Sequence, residues 1–372
     1  MKQFFLLTFL LLFGICISVQ AQSTAFFDTE DVVSFRLEAP ITSLKKQRGE
    51  TEWLEGKVIV KSANGEELTL NVKVEARGNF RRRRSTCNFP PYWLNFKKSE
   101  VKGTIFDGLD KVKVVSHCNE GGKSHEPYLF TEYLIYKTFN ILTDHSFRVR
   151  ANRIEYFDTD GEGEWGTYGA FFIEHNDSFE ARLNAKQIKD KFVRPSRYNH
   201  RELCIAEMFQ FFAANTDHSF FGGTGFDECC HNGKVFAVGD AAEGLTPVPY
   251  DFDMSGLVNA PYAEPNPNLP IESVRQRLYR GIGVEHKVLE DTIKLYLRKK
   301  KDIYALWENS ELLDDRYKAK ALDFIDEFYE TFKSGKAISN RITSKLRHLD
   351  SVEEMITKAE EKAIRDAEKR EE

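Results

Sequence analysis

The spacing of apolar residues changes period halfway along the chain, and that change dictates the fold class. In the first half, Leu68, Leu70, Val72 and Val74 alternate with polar residues, and Val58–Lys61 precedes them across Asn64-Gly65. Alternation puts one face of a strand on a core, and Asn-Gly between two such runs marks a tight hairpin. Tyr92–Lys97, Lys111–Val115, Phe147–Phe157 and Tyr168–Ile173 read as further strands, with the turn-rich Asp158-Thr159-Asp160-Gly161 between the last two. One helix interrupts them: Pro127 suits a first turn, and Phe130, Leu134, Thr138 and Ile141 follow at helical spacing, a face to cover the sheet.

Helical spacing dominates the second half. Asn199 with Glu202 three residues on reads as a capping box, and Leu203–Ala214 behind it is apolar nearly all round, so that helix should be buried. Residues 215–247 are polar and Gly-rich, a connection long enough to be functional or disordered. Helices follow at His286–Trp307 and 315–334, where Ala321, Leu322, Ile325, Phe328 and Phe332 form one stripe. From Ser351 the chain is charged and reads as a solvated helix or disorder. The pattern predicts an α+β, two-lobed chain: a β-rich lobe with one main helix over 22–180, a helical lobe over 181–345, and a charged helix or tail over 346–372. A ligand would sit in the crevice between the lobes.

Residues 1–21 have the form of a cleavable secretory leader. Lys2 opens it, an apolar run extends from Phe4 to Ile17, and Ser18-Val19-Gln20-Ala21 closes it with small residues at a peptidase site. The run is shorter than the roughly 20 residues of a spanning helix, so the expectation is an exported protein that does not span a membrane. Cleavage removes one lysine and takes the formal charge from −5 to −6. An acidic, exported chain is a poor partner for nucleic acid, which makes Arg81–Arg84 a solvated loop or a phosphate clamp. Export also permits disulfides. Cys87, Cys118, Cys204, Cys229 and Cys230 remain, an odd number that leaves one free or paired between chains. Cys87 and Cys118 lie beside consecutive strand segments and are expected to pair. No C-x-x-C spacing suggests zinc. His117, His125, His175 and His200 are scattered and read as structural.

Two clusters hold residue types suited to chemistry. Asn215-Thr216-Asp217-His218 follows the buried helix, and Pro249-Tyr250-Asp251-Phe252-Asp253-Met254-Ser255-Gly256 lies further on. On a short extended stretch, Asp251 and Asp253 would point one way and Phe252 the other. Paired hard oxygens suit Mg²⁺ or Ca²⁺, and a separate carboxylate, Asp217, could accept a proton or position a hydroxyl. Between the clusters, His231-Asn232 supplies a further amide oxygen. The same residues also read as an Asx-bonded turn and a helix C-cap.

The order of these features resembles the CotH-type protein-kinase-like family of secreted or coat-associated atypical kinases. The matching pieces span roughly residues 70–265: Arg77-Gly78-Asn79 and the Tyr92–Lys97 strand, the Tyr128–Leu142 helix, Tyr168-Gly169-Ala170-Phe171-Phe172-Ile173-Glu174, Asn215-Thr216-Asp217, and Pro249-Tyr250-Asp251-Phe252-Asp253. The resemblance implies a protein-kinase-like fold and transfer of phosphate from ATP, with Mg²⁺, to a hydroxyl of a protein or surface component. By similarity, Asp217 is the catalytic carboxylate; Asp251, with Asp253 and Asn232, holds the metal; and Lys97 or Arg77, with Glu174, serves the nucleotide. Asn232 lies fifteen residues after Asp217, so the segment carrying Cys229 and Cys230 must fold back for it to serve. The rival reading is a non-catalytic surface or matrix-binding module that uses the aspartates for cation-dependent structure. A glycan-processing site would instead need an acid and a base in an open aromatic groove.

Overall fold

A computed structural model describes residues 25–61, 65–119, 125–223, 229–239 and 244–371, so the proposed leader lies outside the described residues. The chain is α+β, with a β-rich N-terminal part and a helical C-terminal part. Strand β1 (Val33–Ala39) is followed by a short helix, α1 (Ile41–Lys46), and then by β2 (Leu54–Lys61) and β3 (Glu67–Ala76). The expected hairpin is formed, in register from Leu54 opposite Val74 to Lys61 opposite Glu67. Leu70, Val72, Val74 and Ala76 of β3 are buried in alternation, as the period of two requires.

Strand β4 (Tyr92–Phe96), helix α2 (Lys98–Val101), strand β5 (Lys111–Val115), helix α3 (Glu126–Leu142) and strands β6 (Val149–Asp158) and β7 (Gly163–Ile173) complete this part. The strands close into a barrel in the order β1-β2-β3-β4-β5-β7-β6. Closure comes from parallel pairing of β1 with β6, from Val33 opposite Asn152 to Ala39 opposite Asp158, which leaves no free edge. Phe26, Phe35, Phe106 and Phe172 pack inside it.

Helix α3 covers the barrel, as its pattern predicts, and also faces the helical part. Residues Leu129–Tyr136 are buried on every side, and Thr138 accepts a 3.0 Å hydrogen bond from the indole of the buried Trp307.

Beyond β7 come α4 (Asn176–Leu183), β8 (Ala185–Gln187), α5 (His200–Ala213), β9 (Gly233–Val238) and β10 (Thr246–Pro249). Residues 215–247 are thus not one long connection, because they carry β9 and the start of β10. Prolines 247 and 249 obscure that strand in the sequence; β10 tolerates them because it is the edge of a β10-β9-β8 sheet. Asn199 caps α5, accepting from the backbone N–H groups of Arg201 and Glu202. The reciprocal half of the capping box is absent. The Glu202 carboxylate meets His145 at 3.0 Å, while the Asn199 N–H donates to the Leu245 carbonyl.

Helices α6 (His286–Glu308), α7 (Asp315–Tyr329), α8 (Gly335–Arg341) and α9 (Leu349–Glu371) complete the chain. The expected helix over 315–334 ends at Tyr329 and continues as a 3-10 turn. The charged tail is helical and docked at its start: Val352 and Ile356 are buried, and Arg194 pairs with Glu353 and Glu360. No described helix is long and apolar enough to cross a membrane.

Candidate active site

The two chemical clusters meet because the C-terminus of α5 ties them together. Ala214 adopts a left-handed conformation that ends the helix. The carbonyls of Ala213 and Ala214 then accept from the N–H groups of Leu257 and Gly256, both at 3.0 Å. Gly256 permits that approach, since a Cβ there would lie 2.3 Å from the Val274 carbonyl oxygen and 2.9 Å from the Ala214 Cβ.

The turn after α5 is held from both sides. Asn215 Oδ1 accepts from the Asp217 N–H at 3.2 Å, and His218 Nδ1 donates to the Asn215 carbonyl at 2.8 Å. Arg280 donates to the carbonyls of Thr216 and His218 at 2.6 and 2.9 Å. These bonds present the Asp217 carboxylate to a cleft of about 450 Å³ lined by Arg77, Arg81, Glu132, Asn232, Asp251 and Asp253, among others.

The segment after the connection folds back onto Asp217. His231 Nε2 lies 2.9 Å from Asp217 Oδ1. The Asn232 amide donates to Asp217 Oδ2 at 3.0 Å and to its backbone carbonyl at 2.6 Å. Asn232 has φ +48°, and its own carbonyl accepts from the Tyr250 N–H at 3.2 Å, which joins both clusters through one residue. With the amide nitrogen engaged, the amide oxygen is the Asn232 group left for a cation. Burial pushes the Asp217 pKa up, but hydrogen bonds from His231 and Asn232 outweigh it and hold the group below the usual carboxylate range. The same bond to Asp217 raises the His231 pKa. Cys230, joined to Cys229 in a vicinal disulfide, lines the cleft beside them.

Asp251 has φ +62°, so the chain turns there and is not the extended stretch expected from alternation. Both carboxylates nevertheless line the cleft. Phe252 is buried between Tyr136 and Phe209, with ring centroids at 4.9 and 5.5 Å. The Asp251 N–H donates to the Tyr136 hydroxyl at 2.8 Å, and Asp253 accepts from the Tyr262 hydroxyl at 3.1 Å. Burial and the neighbouring Asp251 push Asp253 up to about 7. Glu132, from α3, is pushed upward by burial and by Asp253.

Arg81 answers this concentration of carboxyls. It lies 3.6 Å from Glu132, donates to the Ser116 carbonyl at 2.8 Å, and keeps its charge despite burial because Tyr262, Glu132, Asp253 and Asp251 surround it. Only part of the arginine cluster is therefore solvated: Arg83 and Arg84 are exposed, whereas Arg81 turns inward.

Arg77 lines the cleft, donates to the Tyr250 hydroxyl at 2.6 Å and lies over Trp93 at 5.2 Å. A cation the sequence reading passed over stands near it. Lys113 of β5 is buried, with its ammonium 4.3 Å from the Tyr250 ring centroid. Burial, then Arg77 and Lys234, hold its pKa well below the lysine range, while Asp251 acts in the opposite direction. The available signal was strand parity, since Lys113 shares a strand face with Val115, which lines the cleft.

Lys97 and Glu174 are placed elsewhere. Lys97 is exposed and paired with Glu100 at 2.9 Å. Glu174 is buried beyond the end of β7, bound by Arg182 at 2.8 and 3.0 Å and by the Arg148 N–H at 3.1 Å. Neither lines the cleft.

The donor set fits a hard cation that keeps part of its own shell. Among the described residues no three His, Cys, Asp or Glu side chains form a ready metal cage. Two carboxylates and an amide oxygen are donor types that Mg²⁺ takes, along with water and phosphate oxygens, and Arg77 lines the same cleft. No family model matches this chain, and a search of curated proteins finds no match.

Proposed function

We propose that this chain is an exported, CotH-like atypical kinase with a protein-kinase-like fold, which transfers phosphate from ATP to a hydroxyl of a protein or surface component. The observation that carries the reading is the convergence, in one cleft, of Asp217, Asn232, Asp251 and Asp253 with the guanidinium of Arg77. Asp251, Asp253 and Asn232 would hold Mg²⁺, which supplies neutralising charge to the phosphates of the nucleotide. Arg77 faces the same negative charge from the barrel side, with Lys113 buried against Tyr250 behind the cleft wall. Asp217 receives the acceptor hydroxyl. Held below the usual carboxylate range, it is a weak base, so its work is to orient that hydroxyl for in-line attack. A loose phosphoryl-transfer transition state asks for that positioning and for charge stabilisation above all.

Asp217→Asn tests the assignment, by phosphate transfer to a mixed hydroxyl-peptide library and by nucleotide affinity. The expected result is transfer reduced by about a hundredfold or more with nucleotide affinity nearly unchanged. Unchanged transfer contradicts the role. One observation favours the non-catalytic alternative: both Asp217 oxygens are already engaged, by His231 and by Asn232. That alternative, a surface or matrix-binding module whose aspartates serve cation-dependent structure, predicts neither Mg²⁺-dependent nucleotide binding nor transfer by the unsubstituted chain.

A further inference from the structure

The loop that brings Arg77 and Arg81 to the cleft also borders a second cavity, of about 410 Å³, lined by Thr42, Lys45, Lys46, Arg48, Arg84 and Asn88. Four of these six residues are cations and none is acidic. Burial, followed by repulsion from Arg48 and Arg84, lowers the Lys45 pKa, and Arg48 is lowered by burial and by Arg84. Asp158 acts on Lys45 in the opposite direction and is itself held by the Ile41 N–H at 2.8 Å and the Thr42 hydroxyl at 2.6 Å.

Arg48 is fixed by neutral groups. It donates to the carbonyls of Lys45, Arg82, Cys87 and Asn88 at 2.8, 2.6, 3.0 and 2.7 Å. Carbonyls satisfy the guanidinium's hydrogen bonds but do not cancel its charge. The loop is clamped at its base by the Cys87–Cys118 disulfide and by the Phe89 N–H on the Cys118 carbonyl at 2.8 Å. The cationic wall is therefore built on a braced frame, with Lys46 and Arg84 exposed at its rim.

We propose that this cavity is an oxyanion site that binds a phosphate group, free or esterified. Lys46 and Arg84 grip its oxygens, Lys45 and Arg48 supply the field beneath, and the Asn88 amide completes the polar wall, the Thr42 hydroxyl being committed to Asp158. The site is distinct from the cleft and does not depend on the kinase reading. Because Arg48 holds the backbone of Arg82, Cys87 and Asn88, an anion here relieves repulsion under the same loop that carries Arg77 and Arg81.

The test is calorimetric titration of the full chain with inorganic phosphate and, separately, with phosphoserine. Sodium chloride at matched ionic strength is the control. Lys46→Ser with Arg84→Ser changes two exposed side chains, and an unchanged thermal midpoint confirms that the variant is folded. The expected result is phosphate binding weakened about tenfold or more in that variant and retained in Arg77→Ser, which alters the cleft alone. Tighter binding of phosphoserine identifies an esterified ligand, and equal binding identifies the free ion. Equal affinity in the double variant, or the same heat with chloride, overturns the proposal.

Discussion

Arg81 and Glu132 show how far a single side chain can depart from its sequence context. Arg81 stands in a run of four arginines that reads as solvated, yet its side chain is largely covered and turned onto a buried carboxyl on α3. Removing one partner of such a pair leaves the other without compensation, at a cost of about 3–5 kcal/mol. Arg81→Met should therefore lower unfolding free energy in urea by about 3 kcal/mol, and Glu132→Gln in the same chain should restore part of it. Simple additivity of the two substitutions would contradict the pairing.

Asp217, Asn232, Asp251 and Asp253 were legible at this scale because short local motifs carry them. Lys113, Arg81 and Glu132 were not, since what distinguishes them is burial of a charge, which depends on partners remote in sequence. Lys97 was drawn in as the strand's basic residue, but it follows the last residue of β4 and pairs with Glu100 in the next helix.

Among elements, α5 organises the C-terminal part. Its buried Glu207 accepts from the Ile282 N–H at 3.0 Å and lies 3.8 Å from Arg347, which ties the helix to two later segments. Burial pushes Glu207 up to about 8 from an ordinary 4.5, against the opposing effect of Arg347. Between those values the folded chain holds a proton that the unfolded chain has released. The sign follows: this group's contribution is full below about 4.5 and is lost as pH rises towards about 8. Glu207→Gln should flatten the decline in unfolding free energy between pH 5 and pH 8, and an unchanged slope would contradict it.

The disulfide between Cys87 and Cys118, with Cα atoms 4.7 Å apart, closes a loop across 31 positions. Replacing both cysteines with serine should cost about 3–4 kcal/mol on the chain-entropy estimate, measured by denaturant unfolding under non-reducing conditions. A loss below about 1 kcal/mol would mean that the loop is held by Arg48 and its neighbours without the bond. The hairpin and the helices were readable because periodicity and capping are local. Strand β10 was not, because two prolines mask an edge strand whose partner lies on the far side of a connection.

At the scale of the whole chain, the cleft gathers residues from both parts. Arg77, Arg81 and Glu132 come from the barrel part, and Asp217, Asn232, Lys234, Asp251 and Asp253 from the α5 side. The α+β division was visible in the switch of period. Closure of the barrel was not, because it rests on the parallel pairing of β1 with β6, two strands separated by more than a hundred residues. The proposed function asks this mixed lining of basic groups and carboxylates to hold a metal-bound polyphosphate. The most direct measurement is calorimetric titration of the purified chain with a non-hydrolysable ATP analogue, with and without Mg²⁺, repeated with Asp251→Ala. The account predicts Mg²⁺-dependent binding weakened about tenfold or more by the substitution. Binding that is absent, indifferent to Mg²⁺, or unchanged in Asp251→Ala would contradict it.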